Sequence, residues 1–181
     1  MRAAESVPRI EGVDGAWALL EYRGAARELI ARVKYRNSRA AIGWLAEGMA
    51  QLVTESFDVI TWAPANRSHR RERGFDHGRL LADATARRLG VRPRSLLVRD
   101  DDTPLTGRTA AERSTALVLR VAGQVPKTVL IVDDVITSGA TLRAAARALR
   151  GAGAEEVFGV SAAYTPPPGG HFVASGRACG N

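Results

Sequence analysis

Two adjacent carboxylates, Asp133 and Asp134, precede a run of hydroxyls and small residues, Thr137, Ser138, Gly139, Ala140 and Thr141, within the stretch TVLIVDDVITSGATL at 128–142. These types in this order suit a phosphorylated sugar. Side-by-side carboxylates accept hydrogen bonds from a polyol, or face Mg2+ held by a diphosphate. A Thr/Ser/Gly turn at a helix start gathers unpaired backbone N–H groups and the positive end of the helix dipole at one spot, hydroxyls add donors, and Gly139 lets the backbone come close. The plainer alternative is that Asp133 and Asp134 merely end a strand and that Thr137 or Ser138 caps a helix. Against it, Asp-Asp-x-x-Thr-x-Gly-x-Thr fixes five positions in a strand, turn and helix context, which is far more specific than a lone glycine-rich loop.

A second stretch, Arg67 to Phe75, holds four arginines within seven residues (Arg67, Arg70, Arg71 and Arg73) with Gly74 at the turn. Guanidinium forks match phosphate oxygens two at a time, so a diphosphate clamp fits. A solvated basic loop or a nucleic-acid patch fits the same residues, although Phe75 alone offers a face for base stacking. Lys34, at a break between two helices, reads as a solvated lysine or as a further cation for a diphosphate. Residues 100–116 show no clean periodicity and carry Arg108 and Arg113, which suits a lid over a site. His77 and Asp102 are the proton acceptors on offer. A histidine in so basic a loop is expected to be exposed.

These residues need a scaffold. At 181 residues the chain is long enough to bury roughly 70% of its unfolded surface in one domain. Lys and Arg number 26 against 19 Asp and Glu, a net charge of +7 that favours polyanionic partners such as nucleotides, diphosphates, nucleic acid or an anionic surface. The single cysteine, Cys179, rules out an internal disulfide and a cysteine-based zinc site, and it fits a cytoplasmic location. No apolar run approaches the roughly 18 residues of a membrane span, and residues 1–15 lack a signal-peptide core.

Helical spacing begins at Tyr22, with Ala26, Leu29, Ile30 and Val33 on one face, and a second helix carries Ile42, Leu45, Met49, Leu52 and Val53. Strands are expected at 57–63, 95–99, 128–132 and 156–163, and helices at 76–89 and after Gly139. Strands alternating with helices imply an α/β fold, with a mostly parallel sheet covered by helices on both faces and ligands at the carboxyl ends of its strands. Residues 1–16 read as an N-terminal arm, 17–165 as one domain, and 166–181, opening on Pro166-Pro167-Pro168-Gly169-Gly170, as a disordered tail.

The 128–142 stretch closely resembles the signature of type I phosphoribosyltransferases, which bind phosphoribosyl pyrophosphate (PRPP). That resemblance implies the type I phosphoribosyltransferase fold, Asp133 and Asp134 on the ribose hydroxyls, and residues 137–141 around the 5′-phosphate. The hypoxanthine-guanine enzymes carry an aspartate where this chain has Thr137, so a purine general base from that position is absent. With Tyr22-Arg23-Gly24, Lys34-Tyr35, the 70–75 run RRERGF, Leu80-Leu81-Ala82 and Arg113 added, nearly the whole chain resembles the ComF (competence protein F) family of phosphoribosyltransferase-like proteins. Three features depart from that family. The cysteines of the four-cysteine zinc module do not occur in this sequence, so that module is either lost or outside it, Asp76-His77 replaces the usual Asn-Gln, and Leu105 and Ala116 stand where a glutamine and an asparagine are expected.

The resemblance implies transfer of a phosphoribosyl group from PRPP to a nitrogenous acceptor, with Mg2+ near Asp133 and Asp134. Lys34, Arg67, Arg70, Arg71 and Arg73 would hold the pyrophosphate, Arg108 or Arg113 would close over it, and Asp134 and Arg113 are the candidate catalytic residues. The alternative expectation is a protein that binds PRPP or a nucleotide without turnover and whose basic surface meets nucleic acid or a DNA-uptake partner in competence or repair. Either form is compatible with a homodimer.

Overall fold

The computed structural model describes residues 7–36, 38–65, 76–99 and 117–166, with backbone alone for 34–36. A four-stranded sheet, wholly parallel in the order β1-β6-β5-β2, forms from β1 (Gly15–Glu21), β2 (Val59–Trp62), β5 (Thr128–Ile136) and β6 (Glu156–Tyr164). Three helices cover one face: α1 (Gly24–Arg36), α2 (Arg39–Leu52) and α3 (His77–Leu89). The other face carries α4 (Ala140–Gly151) and a small antiparallel ribbon of β3 (Leu97–Arg99) and β4 (Leu119–Val121). The fold is therefore α/β with a parallel sheet between helices, as the alternating pattern implies.

β5 is the axis. Val129, Leu130, Ile131 and Val132 are all buried because both faces are covered, which is why the strand reads as a continuous apolar run rather than as an alternation. Leu130 and Val132 join Ile30, Leu45, Met49 and Leu81 on one side, while Val129 and Ile131 join Leu142, Ala145 and Leu149 on the other. Each such large side chain contributes about 1.5–3 kcal/mol by leaving water. The crossover from β5 through α4 to β6 joins adjacent parallel strands and sets the N-terminus of α4 at their carboxyl ends. Gly159 in β6 makes the close seating of α4 possible, since a Cβ there would stand 2.7 Å from Leu142 Cδ1.

Four expectations change. Residues 1–16 are not an arm throughout: β1 begins at Gly15, Ile10 and Val13 are buried, and the Val7 N–H donates to the Ala16 carbonyl at 3.2 Å. Trp17 to Leu20 is too short and too uniformly apolar to reveal a period, so the strand was masked by the helix beyond it. That helix starts at Gly24 rather than Tyr22, whose N–H instead donates to the Tyr164 carbonyl at 2.8 Å. β5 does not stop at Val132 but runs four residues further, with Asp133 opposite Ser161 and Ile136 opposite Tyr164 on β6. Finally, the 95–99 strand is shortened to β3 and lies outside the parallel sheet, paired with the unexpected β4. The 100–116 lid and tail residues 167–181 lie outside the described residues. No helix among the described residues is long and apolar enough to cross a membrane.

Candidate active site

Asp133 and Asp134 lie in the second half of β5, half-buried, and Asp133 Oδ1 accepts a hydrogen bond from the Asp134 backbone N–H at 2.8 Å. That bond orients the first carboxylate by local geometry. Beyond Ile136 the chain turns through Thr137 and Ser138, both exposed, to Gly139, the N-cap of α4, and then to exposed Ala140 and half-buried Thr141. Gly139 has φ +72°, a left-handed conformation that favours glycine, and a Cβ there would stand 3.0 Å from Ile10 Cδ1 and Cγ1.

The capping of the helices differs in a way that bears on ligand binding. Ser38 caps α2 by accepting from the Ala41 N–H at 3.4 Å, and Asp76 caps α3 by accepting from the Arg79 N–H at 3.2 Å. α4 has no side-chain cap hydrogen bond and no acidic residue in its first turn. Its leading N–H groups and dipole are left to a ligand, in a turn with three hydroxyl side chains. A cavity of about 70 Å³ lies where the Thr137–Gly139 turn meets residues 7–10, with Arg9 and Arg143 on its wall. Tyr164 also lines it, and burial pushes its phenol above the ordinary value, so the ring stays neutral.

His77 corrects an expectation. It is not exposed: it opens α3 with 13% of its side chain accessible, and its Nε2 lies 2.8 Å from Asp134 Oδ2, whose side chain is 14% accessible. The contact is a close approach of an ion-pair kind rather than an aligned hydrogen bond, and Nδ1 is buried with no hydrogen-bond partner among the described residues. Sequence reasoning missed this pairing because residues 77 and 134 meet only when α3 packs on β5. The available signal was topological: in a parallel sheet the N-terminus of a following helix comes back to the carboxyl edge where the acidic pair stands.

Asp133, Asp134, Thr137, Ser138, Gly139, Ala140 and Thr141 thus occupy one continuous strand end, turn and helix start. The backbone of Lys34 belongs to α1, and its side chain lies outside the described residues. Arg67, Arg70, Arg71, Arg73, Asp102, Arg108 and Arg113 are likewise outside them. Among the described residues no cluster of three His, Cys, Asp or Glu side chains could by itself hold a metal ion. Two neighbouring carboxylates do fit a hard cation whose other ligands are substrate oxygens and water.

Comparison with known proteins bears on the fold and the family. No curated protein matches the chain. Among solved structures it is similar to glutamine PRPP amidotransferase from B. subtilis, at 22% identity and a TM-score of 0.50 over 74% of this chain and 30% of that one. It is also similar to a structure described as the allosteric regulatory enzyme of purine biosynthesis, at 24% identity and a TM-score of 0.51, again over 74% of this chain and 30% of the other. The chain spans under a third of the length of these two proteins, and the likeness is one of fold, the type I phosphoribosyltransferase fold. A third similar structure is adenine phosphoribosyltransferase from Thermoanaerobacter pseudethanolicus, at 20% identity and a TM-score of 0.48, over 71% of this chain and 83% of that one. Residues 76–166, from the cap of α3 through the acidic pair to the end of β6, match the family model of the phosphoribosyl transferase domain, and with half of its length so matched the chain belongs to that family.

Proposed function

We propose that the protein binds PRPP and transfers its phosphoribosyl group to a nitrogenous acceptor, releasing pyrophosphate. The observation that carries this reading is the uncapped N-terminus of α4 directly beyond the carboxylates of β5. The α4 N–H groups, with the Thr137, Ser138 and Thr141 hydroxyls, take the 5′-phosphate. Asp133 and Asp134 accept from the ribose hydroxyls, which fixes the sugar with its anomeric carbon turned towards the acceptor. The bond from that carbon to the diphosphate oxygen breaks, and a bond to the acceptor nitrogen forms, through an oxocarbenium-like state with negative charge growing on the diphosphate. Arg67, Arg70, Arg71, Arg73 and Lys34 are assigned to that charge, and Arg113 and Asp134 to the reacting centre. Mg2+ held by diphosphate oxygens and water near Asp133 and Asp134 would neutralise part of the same charge.

Within the family, resemblance along nearly the whole chain supports the ComF branch, and the lone Cys179 supports a cytoplasmic location. A second reading, binding without turnover by a protein that also meets nucleic acid or a DNA-uptake partner, is favoured by the net charge of +7 and by His77 standing where a base-contacting glutamine is usual.

Calorimetric titration with PRPP, with and without Mg2+, tests the main reading. Binding in the micromolar range is expected, dependent on Mg2+ and lost when Asp133→Asn and Asp134→Asn are combined. Unchanged affinity in the double variant would mean that the site is elsewhere. Pyrophosphate release with a panel of bases then separates turnover from binding.

A further inference from the structure

His77 is held in place from two sides. Asp76 caps the first turn of α3 through the Arg79 N–H, and a Cβ on Gly78 would stand 3.3 Å from Asp76 Oδ1 and 3.6 Å from the Ala63 carbonyl oxygen, so the turn lies close against the end of β2. From that fixed base the imidazole reaches the sugar-side carboxylate, Nε2 to Asp134 Oδ2 at 2.8 Å, with both side chains largely shielded from water. The other ring nitrogen, Nδ1, is buried without a hydrogen-bond partner among the described residues, so the polar contact of this ring runs through Nε2. A carboxylate has about four acceptor positions, and a ring nitrogen 2.8 Å from Oδ2 restricts its rotation while leaving its acceptor positions to a ligand, since the contact is not an aligned hydrogen bond. Contacts to a charged group in a shielded site are also stronger than exposed ones.

We propose that His77 is a positioning residue for the sugar site: the close contact of its Nε2 with Oδ2 holds the Asp134 carboxylate in the orientation that accepts ribose hydroxyls. The contact also anchors the acidic pair to the helix that follows the arginine stretch. This inference rests on the PRPP reading of the same site. A glutamine at 77 keeps a side-chain nitrogen of similar reach, whereas an alanine removes it.

The test is titration of the full chain with PRPP at saturating Mg2+ for the wild type, His77→Gln, His77→Ala, Asp134→Asn and the His77→Ala, Asp134→Asn double variant. The H77A variant is expected to bind about tenfold more weakly, the size of one charge-assisted contact, with H77Q within about twofold of the wild type. H77A should add little to D134N, because the positioning has nothing left to position. Equal affinities of wild type and H77A, or fully additive losses in the double variant, would overturn the proposal. A wild type that fails to bind PRPP refutes the PRPP reading itself, and the contact is then judged by NMR of the imidazole nitrogens. A proton on Nε2 whose resonance moves in D134N supports the contact, and a ring protonated only on Nδ1 overturns it. The NMR measurement on the wild type also decides the matter should H77A not fold.

Discussion

At Gly139 two demands fall on one position: a left-handed backbone at φ +72° and the side chain of Ile10 packed where a Cβ would be, at 3.0 Å. An L-residue in that conformation costs about 1–2 kcal/mol. The contact with Ile10 adds to this, since Ile10 is itself buried beneath the turn. Gly139→Ala is therefore expected to lower the melting temperature and, under the proposed function, also to weaken PRPP binding, because relief of the strain shifts the N–H groups assigned to the phosphate. Thermal denaturation and titration on the same variant check both, and an unchanged melting temperature with unchanged affinity would contradict this account. The placement of the acidic pair and of residues 137–141 at a strand end, turn and helix start was legible in the sequence because each residue lies within a few positions of the next. Ile10 and His77 were not, because their roles depend on which distant segment lands beside them.

Among the elements, β5, β2, β6, α3 and α4 could be read from the chain, each marked by a β-branched run or a helical period bounded by glycine, proline or a capping residue. β1 and β4 could not, since β1 is a short apolar run without a period and β4 is three residues whose partner, β3, is also three. The sequence also stopped β5 too early, because aspartate is disfavoured in strands by propensity, and pairing with β6 overrides that preference. The seating of α4 on β6 decides where the turn at 137–139 stands, and it depends on Leu142 filling the space that Gly159 leaves. Gly159→Ala places a methyl 2.7 Å from Leu142 Cδ1 and is expected to destabilise the protein by about 1–3 kcal/mol, the usual cost of overpacking. Leu142→Ala alone should cost about 2–5 kcal/mol through the cavity it leaves. Combined, the two changes should cost less than their sum, because each relieves the other's defect. Urea denaturation of the three variants measures this, and strict additivity would show that the pair does not set the helix position.

Over the whole molecule, the excess of 26 basic over 19 acidic residues is unevenly spread, with four arginines and a single glutamate in residues 67–73. The two functional readings make opposite use of that cluster. If it serves the pyrophosphate of PRPP, its charge acts on one small ligand, and changing Arg67, Arg70, Arg71 and Arg73 to serine should weaken PRPP binding by well over tenfold while leaving any association with DNA to the rest of the surface. If it serves nucleic acid, each arginine that neutralises a phosphate releases counterion, and the logarithm of affinity falls with the logarithm of salt by about 0.9 per contact. Loss of all four would then flatten the salt dependence of duplex binding by about 3–4 in slope. Fluorescence anisotropy of a labelled duplex across a salt series, run beside PRPP titration on the same serine variant, separates the cases. The expected outcome is a large loss of PRPP affinity with an unchanged salt slope. A flattened slope with PRPP affinity retained would move the arginine stretch out of the sugar-diphosphate site and make the basic surface the functional face. The acidic pair and the α4 turn would then hold a phosphosugar without the charge needed to drive off its leaving group.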